Sequence, residues 1–374
     1  MPEAIDSVVA MAVVRRVTAN IPIYTQPRNI TTHQLENEQM PRPLEVEVAN
    51  FICRFGKPVL LDLLDEIVLP AYFSDDRRTY METEYFFMDQ TFRYLIKNDV
   101  SSLALCCRLV KNTIIRRHQI YRKEKGIVPD PQSLESAASV IAVLLLQSHR
   151  LLYVREVPSA PSMTVFGSTF SNFMKSRVMD YRQSLYEQRK NAGKKPKKKD
   201  INEEIQIPDV SVVPVVSNES LKDFVARFDI LNSLKIEVAA TNNELDNEDF
   251  FKSLRIRKTE VGSTRTVVQH ANASGLNKQG CLKQVQAAKQ GNLLIEMRGT
   301  DDSGDELKGD NEAFSVRAML PTASSNVQKC ADAAYAKYNE LIESEVVQIG
   351  EPVDDYSEKL KASFKKHTQA NKNG

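Results

Sequence analysis

No tryptophan occurs in the 374-residue sequence, glycine is thin at 13 residues, and aromatics make up only 7%. Neither a collagenous repeat nor an aromatic-rich chain is in view; with 42% hydrophobic and 26% charged residues the composition is that of an ordinary globular protein. The longest apolar run, Val140 to Leu146, falls far short of the roughly 20 residues that cross a bilayer as a helix. A one-sided charge is missing too. Lys+Arg number 50 and Asp+Glu 49, so net charge by itself points to neither nucleic acid nor a membrane. The five cysteines, Cys53, Cys106, Cys107, Cys281 and Cys330, are odd in number and form no C-x-x-C. Reduced, mostly buried thiols of a cytosolic protein are the expectation. Met1 to Ala19 carries Glu3, Asp6, Arg15 and Arg16 where a secretory signal needs an apolar core. The expected location is the cytoplasm, with no membrane partner.

What is present is organisation. Pro22, Pro27, Pro41 and Pro43 make residues 1–43 an extended N-terminal arm, with a short strand at Val8 to Val17. Residues 44–189 read as an antiparallel sheet with helices. Leu60, Leu61, Leu63, Leu64, Ile67 and Val68 mark a helix that Pro70 should end, with Asp62, Asp65 and Glu66 on its polar side. Tyr85 to Met88 reads as a buried strand. Leu103 to Tyr121 is rich in β-branched residues, and Lys111-Asn112 suits a hairpin turn within it. Arg122 to Ser136, with Pro129 and Pro131, reads as a polar loop, and Ser139 to Val154 as strand, Gln-Ser-His-Arg turn and strand. Two successive hairpins predict an N-terminal antiparallel meander. A helix over Val165 to Arg189 should pack through Phe166, Phe170, Phe173 and Met174.

Lys190 to Pro214 has clustered lysines, Gly193 and Pro196 but no apolar period, which predicts a solvated basic linker and a domain boundary. In residues 215–350 a strand at Leu234 to Ala240 is followed by a helix capped by Asn247, with Phe250, Phe251 and Leu254 inward. Next come a strand at Thr264 to Gln269 and a helix capped by Asn277 and stopped by Gly291, with Leu282, Val285 and Ala288 inward. Strands at Leu293 to Arg298 and Ala313 to Leu320 flank an acidic turn, Asp301 to Asp310. A last helix, Ser324 to Glu345, should bury Val327, Ala331, Ala334, Tyr338 and Leu341. The class is α+β, and this order suggests a C-terminal ferredoxin-like α/β sandwich. Residues 351–374 read as a disordered polar tail.

Chemical motifs are scarce. His33, His118, His149, His270 and His367 share no metal-ligand spacing, and phosphate loops and nucleophile elbows are absent. No catalytic residue, metal or cofactor is expected. Asp301, Asp302, Asp305 and Glu306, with Lys308, come nearest to a set of oxygen ligands for a divalent cation. They also match the residues a solvated turn prefers. Basic segments are more informative. Arg108 to Lys125 carries seven basic residues against Glu124, and Lys175 to Lys199 carries ten against Asp180 and Glu187. Such strips can neutralise phosphates, with Tyr121, Tyr181 and Tyr186 placed to stack on bases. Arg116, Arg117, Lys194, Lys195, Lys197, Lys198 and Lys199 are the expected nucleic-acid contacts.

The segments SAASVIAVLLLQSHRLLYVREVPSAPSMTVFGSTFSNFM (Ser136 to Met174) and LLIEMRGTDDSGDELK (Leu293 to Lys308) resemble bacterial proteins carried in anti-phage defence loci. The resemblance covers about a sixth of the chain and contains no catalytic motif. It implies a role in antiviral defence beside other proteins of the same system, and carries over no functional residue. The expected function is therefore a non-catalytic component that binds DNA, RNA or a protein partner. The alternative is a divalent-metal nuclease with a site assembled from distant residues.

Overall fold

Strand β1 (Glu45–Arg54) is buried at every position from Val46 to Cys53, which a strand achieves only when both faces and both edges are covered. The computed structural model describes residues 43–239, 242, 249–263, 265–285, 293–321, 324–348 and 355–370. The expected arm up to residue 42, with its strand at Val8 to Val17, lies outside them, as do Asn247, Ala288 and Gly291.

After β1 the chain forms a continuous helical stretch: a 3-10 turn (Leu60–Leu63), a π turn (Leu64–Val68) and α1 (Leu69–Tyr72). Pro70 does not end this helix. It sits in the first turn of α1, directly after the π turn, and the helical stretch runs on to Tyr72. Then follow β2 (Arg78–Tyr80), β3 (Thr83–Tyr94), β4 (Leu103–Arg122), β5 (Gly126–Leu145), β6 (Arg150–Arg155), α2 (Met163–Asn191), α3 (Lys198–Glu204) and β7 (Asp209–Pro214). The remainder is α4 (Asn218–Ala226), β8 (Phe228–Val238), α5 (Asp249–Glu260), β9 (Val267–Ala271), α6 (Lys278–Val285), β10 (Leu293–Asp301), β11 (Glu306–Asp310), β12 (Arg317–Met319), α7 (Val327–Glu343) and α8 (Ser357–Ala370). The class is α+β, with antiparallel sheets. No helix among the described residues is long and apolar enough to cross a membrane.

Eight strands form one sheet in the order β12-β1-β6-β5-β4-β3-β2, with β7 also paired to β1. One face of the sheet packs on α2 through Phe166, Phe170, Phe173 and Met174, on the helical stretch 60–72, and on Leu360 of α8. The other face packs on α7 through Val327, Ala331, Ala334 and Tyr338, as their spacing requires. The second sheet runs β11-β10-β8-β9. Its core combines Leu234, Ile236 and Val238 of β8 with Phe224 of α4 and Val285 of α6. Ile52 of β1, Val213 of β7 and Ala239 form a small cluster with Leu294 of β10 that joins the sheets. All five cysteines are free and buried, and burial pushes the Cys106 and Cys330 thiols up to about 12.

Several expectations are corrected. Lys111 and Asn112 are not a turn: they pair with Ala138 and Ala137 inside one long ladder. The expected polar loop, Arg122 to Ser136, is mostly strand β5, and the reversal lies at Lys123 to Lys125, where Lys125 N donates to Arg122 O at 3.1 Å. The acidic segment turns the chain only over residues 302–305; Glu306–Asp310 is strand β11, with Leu307 packed against the core and Gly309 so near the Phe224 ring that a Cβ there would lie 2.2 Å from it. A ferredoxin-like plan would place β10 between β8 and β9, whereas β8 pairs directly with both. β12 and α7 leave that sheet and pack on the larger one. The boundary expected at 190–214 separates nothing: residues 42–374 form one compact unit, with β7 laddered to β1 and Gly167 of α2 so near Val212 that a Cβ would lie 2.9 Å away.

Within the expected disordered tail, residues 351–374, the described part forms α8 over Ser357–Ala370. Tyr356 donates to Asp62 Oδ1 at 2.8 Å, Lys359 Nζ donates to Asp62 O at 2.6 Å, and Phe364 packs edge-on against Tyr94 at 4.6 Å. Tyr356, Leu360 and Phe364 recur every four residues, one helical stripe among lysines. Leu360→Ala is expected to lower stability by about 2–4 kcal/mol in denaturant unfolding; a tail without structure would show no change. His149, buried in the β5–β6 turn with φ of +52°, generates a second expectation. Burial, with the Arg150 cation beside it, holds its imidazole down from 6.5 to about 4. Stability is thus full above pH 6.5 and lost as pH falls toward 4, because the unfolded state takes the proton first. Urea unfolding across that range should show a loss of about 3 kcal/mol at most, and His149→Asn, which tolerates the positive φ, should flatten it.

Candidate nucleic-acid interface

The lysine segment grows out of α2. Its last fully buried residue is Val178; Tyr181 and Leu185 still pack against the core, and the helix continues to Asn191. Gly193, at φ +75°, turns the chain, and Gly193 N and Lys194 N donate to Lys190 O and Arg189 O at 3.0 Å each. α3 then folds back on α2, burying Ile201. Arg182 Nε donates to Ile205 O at 2.7 Å, and Arg189 grips both carboxylate oxygens of Glu204 at 2.8 and 2.7 Å. The expected solvated linker is therefore an ordered helical turn up to β7.

That turn presents cations outward. Lys190, Lys194, Lys195, Lys197, Lys198 and Lys199 are all exposed, and no carboxylate interrupts the chain between Glu187 and Asp200. Lys198 Nζ lies 5.8 Å from the Tyr186 ring centroid, and Lys199 meets Glu203 at 3.8 Å, an exposed pair that costs little to exchange for another anion.

Arg116 and Arg117 stand elsewhere, on the distal half of β4. Arg116 pairs with Glu82 at 2.6 Å and Arg117 with Asp130. Among the described residues no hydrogen bond or ion pair joins these arginines to the lysine turn. The two basic strips are separate features: the lysine turn carries the exposed Lys199–Glu203 pair, whereas Arg116 and Arg117 are each paired with a carboxylate. The arm bearing the arginines escaped sequence reasoning. β3 pairs with β4 only as far as Asn112, and β6 with β5 only from Val140, so residues beyond them form a two-stranded ribbon. The Ile127-Val128 pair after Gly126 was its signal.

The acidic hairpin does structural work. Asp301 Oδ1 accepts from Ser303 N at 2.9 Å and Asp305 N at 3.1 Å, and Gly304 takes φ +81°. Lys308 pairs with Glu296 at 3.2 Å. Among the described residues no three His, Cys, Asp or Glu side chains converge as metal ligands. The nuclease alternative thus gains no ligand set from this hairpin.

No known family model matches the chain, and no curated protein is similar to it.

Arg182→Ala with Arg189→Ala should loosen the turn without unfolding the sheet. Hydrogen-exchange protection of residues 198–204 is expected to fall about tenfold or more, from the loss of one to three kcal/mol of charge-assisted bonding, while β1 keeps its protection.

Proposed function

We propose that the chain is a non-catalytic nucleic-acid-binding component of a multi-protein bacterial antiviral system. The observation that carries the binding is the ordered α2–α3 turn, whose Lys194, Lys195, Lys197, Lys198 and Lys199 project into solvent with no acid among them. A rigid display costs less side-chain and backbone entropy on binding than a loose tether. Lysine is a point charge that neutralises phosphate without reading bases, so the contact is to backbone and tolerant of sequence. Arg116 and Arg117 form a second, weaker strip, since phosphate there must displace Glu82 and Asp130. The defence context rests on the resemblance of residues 136–174 and 293–308, which also favours other proteins of the same system as partners.

Titration of labelled single- and double-stranded DNA and RNA across salt tests this reading. Replacing the five lysines by glutamine should weaken binding and reduce the slope of log affinity against log salt by up to about 4 for duplex DNA. Arg116→Ala with Arg117→Ala should change the slope by about 1 or less. Equal slopes for wild type and the lysine variant, or no binding at low salt, would overturn it.

A further inference from the structure

The face of α2 that meets α3 holds more than the bonds that brace the turn. Met179, Arg182, Gln183 and Tyr186 follow one another at helical spacings of three, one and three, and Lys198, Ile201 and Asn202 form a matching stripe on α3. The two stripes enclose a cavity of about 150 Å³. Phosphate binding by the lysines leaves this cavity unused.

Its lining combines three chemistries. Ile201, buried, and the Met179 thioether make part of it apolar. Tyr186 adds an aromatic ring: Tyr181 and Leu185 of the same helix pack against the main core, whereas Tyr186 is half-buried and lines the cavity. Gln183 and Asn202 bring carboxamides, each both donor and acceptor. Gln183 Nε2 donates to Glu187 Oε1 at 2.8 Å, which leaves its carbonyl oxygen to accept from a ligand. Lys198 joins the cavity to the lysine turn, its Nζ lying 5.8 Å from the Tyr186 ring centroid. Met179, Gln183 and Asn202 are exposed, so the cavity opens to solvent beside the cations.

We propose that this cavity receives one unpaired pyrimidine base of a single strand whose phosphates lie on the lysine turn. The assignment rests on that turn as a phosphate-binding element. An aromatic ring beside a row of cations is the combination that holds single strands. A volume of about 150 Å³ admits one ring the size of benzene, so a pyrimidine fits where the fused rings of a purine do not. The two carboxamides match the mixed donor and acceptor edge of uracil, thymine or cytosine. A base within a duplex does not enter, because its faces are stacked and its edge is paired. Lysines that meet only the backbone do not make this distinction.

Anisotropy titrations of the full chain with labelled oligo(dT), oligo(U), oligo(dA) and a duplex of equal length, at one salt concentration, test the proposal. Wild type should hold oligo(dT) or oligo(U) about tenfold more tightly than oligo(dA) or the duplex, the tighter of the two identifying the sugar. Tyr186→Ala should remove that preference, and Tyr186→Phe, which keeps the ring, should retain it. A wild-type complex with a strand carrying 5-bromouracil should photo-cross-link at Tyr186. Equal affinity for all four probes, a preference that survives Tyr186→Ala, or cross-links confined to other residues would overturn the base site. In those cases loss of duplex binding on replacing the five lysines would still uphold the phosphate contact; no binding of any probe would overturn both.

Discussion

Burial of β1 is the constraint on which the rest of the structure depends. A strand with apolar residues on both faces and unpaired groups on both edges must be enclosed, since each buried N–H or C=O left unbonded costs about 1–3 kcal/mol. β6 covers one edge; β12 and β7 share the other, with Glu45 to Glu47 pairing with residues 317–319 and Ala49 to Arg54 with residues 209–214. Glu47, buried in this strand, is held by Arg155 at 2.7 Å. α2 lies over one face and α7 over the other. The middle and the end of the chain are thereby committed to one strand near residue 50. That is why no boundary falls where the composition changes.

Local signals were legible where a single amphipathic period decides the element. α2 buries the side chains its spacing names, α7 buries all of its own but Leu341, which is partly buried against the same cluster, and β8 alternates as Leu234, Ile236 and Val238 require. Asn277 caps α6 by accepting from Gly280 N at 2.8 Å. Non-local pairings were not legible. β12 is three residues long and β7 six, too short for a period to declare them, and both pair along the same edge of β1. The length of β4 and β5 was hidden for a related reason: a ribbon wet on both faces has no alternation to read. α8 was hidden by composition, its stripe of Tyr356, Leu360 and Phe364 being sparse among lysines.

The candidate site divides along the same line. The cationic character of residues 194–199 is plain from their order in the chain. Their rigidity is not, because it depends on Arg182 and Arg189 reaching across to α3 and its C-terminal carbonyl and carboxylate. Arg116 and Arg117 have the same composition-level signal, yet their carboxylate partners come from the β2–β3 turn and from a stretch that reads as loop. Charge counted along a sequence measures what can be presented; only the fold shows which charges remain to be met from outside.

Hydrogen exchange on the full chain, with and without an oligonucleotide, tests this account most directly. β1, β7 and β12 should exchange together as the slowest class and be unaffected by ligand, while slowing on addition of nucleic acid is concentrated in residues 190–204. Separate exchange of β1 and β12 would contradict the shared enclosure of the central strand, and slowing confined to the acidic β10–β11 hairpin would contradict the lysine turn as the phosphate-binding element.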